Sequence, residues 1–267
     1  MKVVMLGVRK FRVPEGFDEC DDAQRNLLLV CGLVPEERRE RSFWELVIRS
    51  GLGCDVRFWD RLVLSLDQWA MLKECMKWIF SDRIRKRPYE YLDVGGVRYW
   101  AMKDGFDDTD AVEISVAAMY FMKLNDENEP DFGMVEMLMG VFLRPERRDL
   151  KEFRLSDEWN GDVREVYNEQ RVIERAEIFK GLEFGVKVAF LQWFEAEFTY
   201  FIECYKDVFG KGSENDARYD DGRGWMLLLK HVAQKGYFGG IAGVHMTNAH
   251  VVWSYLLDDV LDSKIKN

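Results

Sequence analysis

Residues 184–209 read FGVKVAFLQWFEAEFTYFIECYKDVF, and this stretch decides the fold class. A helix that is apolar nearly all round lies at the centre of a core. Charged residues from Lys187 to Asp207 interrupt the run, which argues against a membrane span. We therefore predict a central buried helix. Its large apolar residues are Phe184, Phe190, Trp193, Phe194, Phe198, Tyr200, Phe201 and Tyr205.

Helical patterns flank this segment on both sides. Apolar residues recur at three- and four-residue spacing, and helix start signals precede several of these runs. Ser42 is followed by Glu45 in the spacing of a capping box, and Ser65 repeats the start signal. The predicted helices cover 24–32, 42–52, 65–79, 107–122, 132–143, 167–179, 225–235 and a final run from Thr247 or Asn248 to Asp262.

Two short segments predict β-hairpins. Aromatic and β-branched residues on either side of Gly95-Gly96, from Tyr89 to Trp100, are typical of strands joined by a primed turn. A weaker alternation over residues 2–13, around Gly7, predicts a strand or a small N-terminal hairpin. The fold class is therefore mainly α, or α+β with minor β: a helical bundle-like domain with one or two small β-hairpins.

Composition changes along the chain predict four regions. Residues 1–87 form an N-terminal helical subdomain with a short β start, and residues 88–209 form the hairpin plus a central helical core. Glycines and alternating charges make 210–223 a flexible linker, and 224–267 a C-terminal helical arm. Within the second region, the charged residues 146–165 predict a surface excursion.

The charge of the 267-residue chain is acidic and uneven. Its formal net charge is −10, which disfavours non-specific binding to nucleic acid. Residues 1–90 carry 17 basic and 15 acidic residues, whereas residues 91–267 carry 21 and 33. Two basic clusters could contact phosphate, although a solvated turn is the favoured interpretation of each. They are Arg38, Arg39 and Arg41, and Arg83, Arg85, Lys86 and Arg87.

The cysteines and the chain start indicate a reducing compartment. Cys20, Cys31, Cys54, Cys75 and Cys204 are widely spaced, so neither a disulfide framework nor a zinc ribbon is expected. The apolar run before Arg9 is too short for a signal-peptide core. We expect a cytoplasmic protein, including the cytoplasm of an infected host, and no membrane partner.

No motif names a reaction. Asp107-Asp108-Thr109-Asp110 lacks the closing ligands of a calcium loop and is better explained as a helix N-terminus. His245 and His250 are five residues apart, where metal-binding pairs on a helix prefer four. The glycines of 236–243 follow a helix rather than a strand, unlike a phosphate-binding loop. No catalytic, cofactor-binding or metal-binding residue is assigned, and an enzyme with an unrecognised site remains an alternative.

The order of these elements resembles proteins encoded in the structural-gene region of tailed phages and prophages. The end of the chain, from Trp225 to Val260, looks like the last helices of tail assembly chaperones. The remaining patches that carry the resemblance are Val13–Glu19, Leu64–Gln68, Trp78–Phe80, the Gly95-Gly96 hairpin, Phe106–Ala118, Met137–Pro145, Arg171–Phe179 and Trp193-Phe194.

The resemblance implies a non-enzymatic tail assembly chaperone that binds helical tail proteins, the tape-measure and tail-tube proteins, before assembly. A virion structural component is the alternative, such as a head–tail connector or ring protein, and it would be a homo-oligomer. Met-rich and aromatic faces serve as adaptable binding surfaces. The partner-binding candidates are Met134, Met137, Met139, Trp225, Tyr237, Phe238 and Trp253.

Overall fold

The computed structural model describes residues 1–7, 9–157, 159–209 and 222–266. The linker predicted at 210–223 therefore lies outside the described residues, apart from its last two positions. The chain divides into two compact units: Met1–Pro88 with Leu182–Trp193, and Tyr89–Gly181 with Phe194–Asn267. Helices dominate the described residues and the two sheets are small, which confirms the predicted mainly α fold class.

The first unit begins with an antiparallel hairpin and continues in helices. The two strands pair along their whole length, and Gly7, with a φ of +61°, follows the first strand, as the alternation over 2–13 predicts. Short 3-10 helices cover Phe17–Glu19, Glu36–Arg38 and Lys77–Phe80. The regular elements are β1 (Lys2–Leu6), β2 (Arg9–Val13), α1 (Asp22–Gly32), α2 (Arg41–Gly51), α3 (Val56–Trp59) and α4 (Leu66–Met76).

Capping side chains set the starts of the helices in this unit. Asp21 caps α1 and Ser65 caps α4, each in a reciprocal capping box with a glutamine three residues on. The N-cap predicted at Ser42 is wrong. Helix α2 begins at Arg41, after Glu40, because the Trp44 amide already donates to the Glu40 carbonyl and closes the first turn.

The first part of α9 (Phe184–Cys204) belongs to this unit and packs closely on α1. A Cβ atom added at Gly185 would lie 2.2 Å from the carbonyl oxygen of Asn26. Glycine is therefore needed for the contact between the two backbones. Val47, Ile48 and Leu72 are completely buried in the same unit, on the inner faces of α2 and α4.

The second unit contains a small three-stranded sheet and the remaining helices. The Gly95-Gly96 hairpin forms as predicted, and a short third strand pairs with its second arm. The elements are β3 (Tyr91–Val94), β4 (Val97–Trp100), α5 (Ala111–Leu124), α6 (Met134–Phe142), β5 (Arg144–Pro145), α7 (Leu150–Phe153), α8 (Glu169–Phe179), the end of α9, α10 (Lys206–Phe209), α11 (Arg223–Lys235), α12 (Ile241–His245) and α13 (Ala249–Lys266).

Helices α5 and α6 form the middle of this unit. Helix α6 packs on α5 and on α8, and a Cβ atom at Gly140 would lie 2.7 Å from the carbonyl oxygen of Val172. Helices α11, α12 and α13 all contact α5. The three helices in the region for which the sequence predicts a C-terminal arm, 224–267, therefore pack against α5.

An aromatic cluster fills the core between α6 and α9. Phe106 lies within 6.2 Å, centroid to centroid, of Phe142, Phe194 and Phe201. Its backbone adopts a φ of +61°, a conformation that non-glycine residues adopt only when the surrounding structure holds them. Burial of this ring offsets the backbone strain. None of the described helices combines the length and apolar content of a bilayer crossing.

The prediction that 146–165 is a surface excursion is wrong at its end. Asp162 and Arg164 are buried, and Arg164 donates to the backbone carbonyls of Phe142 and Asp108. The sequence shows a run of charged residues, which is typical of a solvent-exposed segment. It does not show that Asp162 and Arg164 have partners on other elements. Opposite charges that pair can be buried where single charges cannot.

Candidate partner-binding surface

Two of the seven partner-binding candidates belong to the core. Met139 and Trp253 are fully buried. The Trp253 ring lies 5.5 Å from the Phe201 ring and 5.6 Å from that of Trp225, between α9 and α11. Neither Met139 nor Trp253 offers surface to a partner in this structure. Sequence reasoning could not separate them from surface residues because a buried and a binding face share the same apolar period.

Trp225 also has a structural role. It is half-buried, and its ring lies 4.6 Å from the Phe209 ring and 5.3 Å from the Phe198 ring. Trp225 and Trp253 together pack α11 and α13 against the end of α9 and against α10. The Trp225 ring therefore serves mainly in packing within the protein, and its exposed edge is a small part of its surface.

Met134 and Met137 lie on the outer side of α6. Both are half-buried, and Phe132, just before the helix, is 74% exposed. Met134 and Met137 therefore stay predicted partner-binding residues, on a separate and smaller apolar patch.

Tyr237 and Phe238 are brought together with a third aromatic residue, Tyr255 of α13. The Tyr237 and Tyr255 rings are 5.1 Å apart, and the Phe238 and Tyr255 rings are 5.9 Å apart in an edge-to-face contact. Tyr237 is 71% exposed, and the other two are half-buried. We call these three residues the aromatic surface.

Glycines shape the loop that presents this surface. Gly236 ends α11 in the left-handed conformation, with a φ of +78°, which is the usual way for a helix to stop. Gly243 has a different role, since a Cβ atom there would lie 1.7 Å from the carbonyl oxygen of Phe238. The loop thus turns sharply after α11 and rests directly on α12, which leaves Tyr237 and Phe238 little freedom to fold inwards.

Charged residues of α11 and α13 lie beside the aromatic surface, next to Tyr255. Lys235 contacts Asp259, and its ammonium group lies 5.8 Å from the centre of the Tyr255 ring. His231 Nε2 is 3.7 Å from the same carboxylate. The hydrogen bond from Lys235 lowers the pKa of Asp259, so this carboxylate stays ionised at neutral pH.

Further carboxylates lie beyond this pair. Asp258 and Asp262 are exposed on α13, and no basic side chain of the described residues lies within ion-pair distance of either. Because Asp258 and Asp262 follow Tyr255 by three and seven residues, they share its face of α13 and add negative charge beside the Lys235–Asp259 pair. This local charge agrees with the acidic excess of residues 91–267.

Tyr255 is not among the partner-binding residues predicted from the sequence. The signal was present, because Tyr255 lies four residues after Val251 and these positions share one helix face. Val251 is exposed in the structure, so this face of α13 is apolar and outward in its first turns. A test for apolar residues on the outward face of the last helix would have found it.

A buried charge cluster is the second arrangement in this unit that resembles a site. Arg144 lies 3.0 Å from both Glu113 and Asp162, and Arg164 lies 2.7 Å from Asp162 and 3.2 Å from Asp108. All five side chains are buried. Perturbed carboxylates in one cluster are a feature of active sites, and of structural ion-pair networks as well.

The ionisation of the acids at this cluster follows from burial. Burial raises the pKa of Glu113, against the effect of Arg144 and Arg164. Burial also raises the pKa of Asp110, at the start of α5, to about 7. The two arginines face three carboxylates, Glu113, Asp162 and Asp108, so the formal charge of the cluster is −1 when all three are ionised. Its geometry supports a role in holding β5, α5 and the 162–164 segment together.

Both ring nitrogens of His250 have hydrogen-bond partners, and the surroundings of Cys20 and Cys31 disfavour the thiolate. His250 Nε2 lies 2.6 Å from the Gly105 carbonyl and donates to it, and Nδ1 lies 2.9 Å from the Tyr205 hydroxyl. Burial raises the pKa of Cys20 to about 12 and that of Cys31 to about 11, far from a reactive thiolate. Within the described residues, no three His, Cys, Asp or Glu side chains are grouped to hold a metal ion.

Comparison with known proteins adds no relative. The sequence matches no protein-family model, and searches of curated proteins and of solved structures find no significant match.

Proposed function

We propose that this protein binds another polypeptide without catalysing a reaction, as a chaperone in the assembly of a phage tail. The observation that carries the proposal is the aromatic surface, in which Tyr237 is 71% exposed although its ring packs against Tyr255, which also contacts Phe238. Exposed aromatic residues with fixed rings provide large contact areas at a small entropic cost. The resemblance of the C-terminal helices to tail assembly chaperones supplies the biological setting.

The chemistry of the surface favours one kind of partner. An apolar centre with an acidic rim, Asp258 and Asp262, suits an amphipathic helix that has an apolar stripe and basic flanks. A tape-measure protein is long and helical, and its apolar faces need cover until the tube forms around it. Binding at the aromatic surface would keep such a segment soluble, and the net charge of −10 would keep the complex dispersed.

Co-expression tests this function. The tape-measure and tail-tube proteins from the same gene cluster are expressed alone, with the wild-type chain, and with the double variant Tyr237→Ser/Phe238→Ser. The proposal expects the wild type to raise the soluble fraction of the client and to co-purify with it, and the double variant to do neither. Tyr200→Ser is the matched control, because Tyr200 is 62% exposed and lies outside the aromatic surface.

The same preparation distinguishes the structural alternative. Size-exclusion chromatography with light scattering gives the mass of the purified protein. A monomer, or a complex of variable composition with its client, supports the chaperone. A stable symmetric ring that forms without a client, and that the double variant also forms, supports a connector or ring protein instead.

A further inference from the structure

A cavity in the first unit gathers cations around aromatic rings. It has a volume of about 430 Å³ and lies between the Glu36–Arg38 turn, α2, α4 and the Lys77–Phe80 turn. Its lining residues are Glu36, Arg39, Trp44, Lys73, Lys77 and Phe80. Three cations and one carboxylate give it a formal charge of +2 in a chain whose net charge is −10. Such local excess is where an anion would bind.

Two of the cations are held in place by the rings beneath them. The Arg39 guanidinium lies 3.6 Å from the centre of the Phe80 ring, and the Lys73 ammonium lies 4.7 Å from that of Trp44. The two rings are themselves in edge contact at 5.8 Å. Cation–π contacts fix position without consuming hydrogen-bond donors. Both cations are thus oriented before any ligand arrives.

Donors remain available on these side chains. Arg39 Nε donates to the Val34 carbonyl at 2.8 Å, and no described residue accepts from its terminal nitrogens. Lys73 has no carboxylate within ion-pair distance among the described residues. Lys77 pairs with Glu74 at 2.5 Å, but both side chains are exposed, and such pairs are weak. One oriented guanidinium group and two ammonium groups are therefore available in the cavity to bind an anion.

Arg41, two residues after Arg39, has a different environment. Arg41 is paired with Glu45 at 3.1 Å on the surface of α2. Of the cluster Arg38, Arg39 and Arg41 that the sequence analysis names as a candidate phosphate contact, only Arg39 lines the cavity. The cavity combines Arg39 with Lys73 of α4 and Lys77 of the Lys77–Phe80 turn. This convergence of cations from separate elements distinguishes it from a solvated turn.

We propose that this cavity binds a small phosphate monoester with an aromatic or apolar remainder. A phosphate monoester carries a charge of about −1.5 to −2 at pH 7, which matches the formal charge of the lining. Arginine and lysine together supply the charge-assisted hydrogen bonds that such a group accepts. The apolar remainder contacts the half-buried ring of Phe80. The proposal is independent of the chaperone function.

Phenyl phosphate is the probe, titrated into the full chain by isothermal titration calorimetry at physiological salt. The expected result is one site with a dissociation constant of about 1 mM or tighter. Arg39→Gln and Lys73→Gln are each expected to weaken binding by about tenfold or more, because each removes a charge-assisted contact. Arg57→Gln, an exposed arginine of α3 outside the cavity, should bind as the wild type does within about twofold.

A second measurement does not depend on the variants folding. Hydrogen–deuterium exchange of the wild type with phenyl phosphate should slow the amides of 36–44 and 73–80. No binding at millimolar phenyl phosphate, protection only elsewhere, or equal affinity for benzoate would each overturn the proposal. Tighter binding of a phosphoserine peptide than of phenyl phosphate would overturn the small-molecule assignment and indicate a phosphorylated polypeptide instead.

Discussion

The guanidinium group of Arg144 lies 3.0 Å from the carboxylate of Glu113, and both side chains are 1% exposed. The pair joins β5 to α5 in the second unit. Buried ion pairs contribute little net stability relative to apolar residues of the same volume, but removal of one partner leaves an uncompensated charge. This asymmetry makes the pair a sensitive test of the buried charge cluster.

Arg144→Met should destabilise the protein by about 3–5 kcal/mol, because Glu113 and Asp162 then lose the cation between them. Urea unfolding followed by circular dichroism measures the change. Arg148→Met is the matched control, since Arg148 is exposed four residues later, and it should change the free energy of unfolding by less than about 0.5 kcal/mol. Equal effects of the two variants would show that the cluster does not stabilise the fold.

Asp110 predicts a pH dependence with a definite sign. Burial raises its pKa to about 7 in the folded chain, from 3.8. Between about pH 4 and pH 7 the folded chain holds a proton that the unfolded chain has lost, so this group's contribution to stability falls as the pH rises. Above pH 7 the contribution is constant and unfavourable.

Asp110→Asn removes this titration and should therefore be more stable than the wild type at pH 8. The advantage should shrink as the pH falls to 5, where the wild-type carboxyl group is already neutral in the folded chain. Thermal unfolding of both proteins at several pH values measures the difference between them. A difference that is constant from pH 5 to pH 8 would contradict the raised pKa.

Gly243→Ala tests the loop that carries the aromatic surface. The added Cβ atom would lie 1.7 Å from the Phe238 carbonyl oxygen, so α12 and the loop must move apart. We expect a loss of about 1–3 kcal/mol of stability and weaker client binding. Ala242→Ser, at the exposed neighbouring position, is the control and should leave the melting temperature nearly unchanged. An unaltered melting temperature in Gly243→Ala would show that the close contact is absent.

Trp253→Ala should act on stability rather than on recognition. Its ring is fully buried against Phe201 and Trp225, and truncation of such a residue costs about 3–5 kcal/mol. Thermal unfolding measures this loss, and client binding is measured at a temperature at which the variant is folded. Loss of binding with no loss of stability would return Trp253 to the partner-binding residues.

Local patterns predicted the elements well because local chemistry determines them. Gly95-Gly96 between aromatic runs specified the hairpin, and the Ser65–Gln68 capping box specified the start of α4. The start of α2 was misplaced because the Ser42 signal was weaker than the turn closed by Glu40. No side chain caps α2, so no capping residue in the sequence marks its first turn.

The candidate surface was harder to predict, because it depends on contacts between distant residues. Tyr237 and Phe238 could be named from an exposed-looking glycine loop, but Tyr255 enters only through the packing of α13 beside α11. Met139 and Trp253 looked like surface candidates and are buried for the same reason. Likewise, the charges of Asp162 and Arg164 predicted solvent exposure, because their partners on other elements cannot be read from the sequence.

The most direct test of polypeptide binding at the aromatic surface is the dissociation constant of a helical tape-measure segment, measured by biolayer interferometry. The account predicts that Tyr237→Ser/Phe238→Ser weakens this binding by at least about thirtyfold, as expected for the loss of aromatic contacts at the centre of an interface. Tyr200→Ser should bind as the wild type does. Equal affinity of the wild type and the double variant would contradict the account.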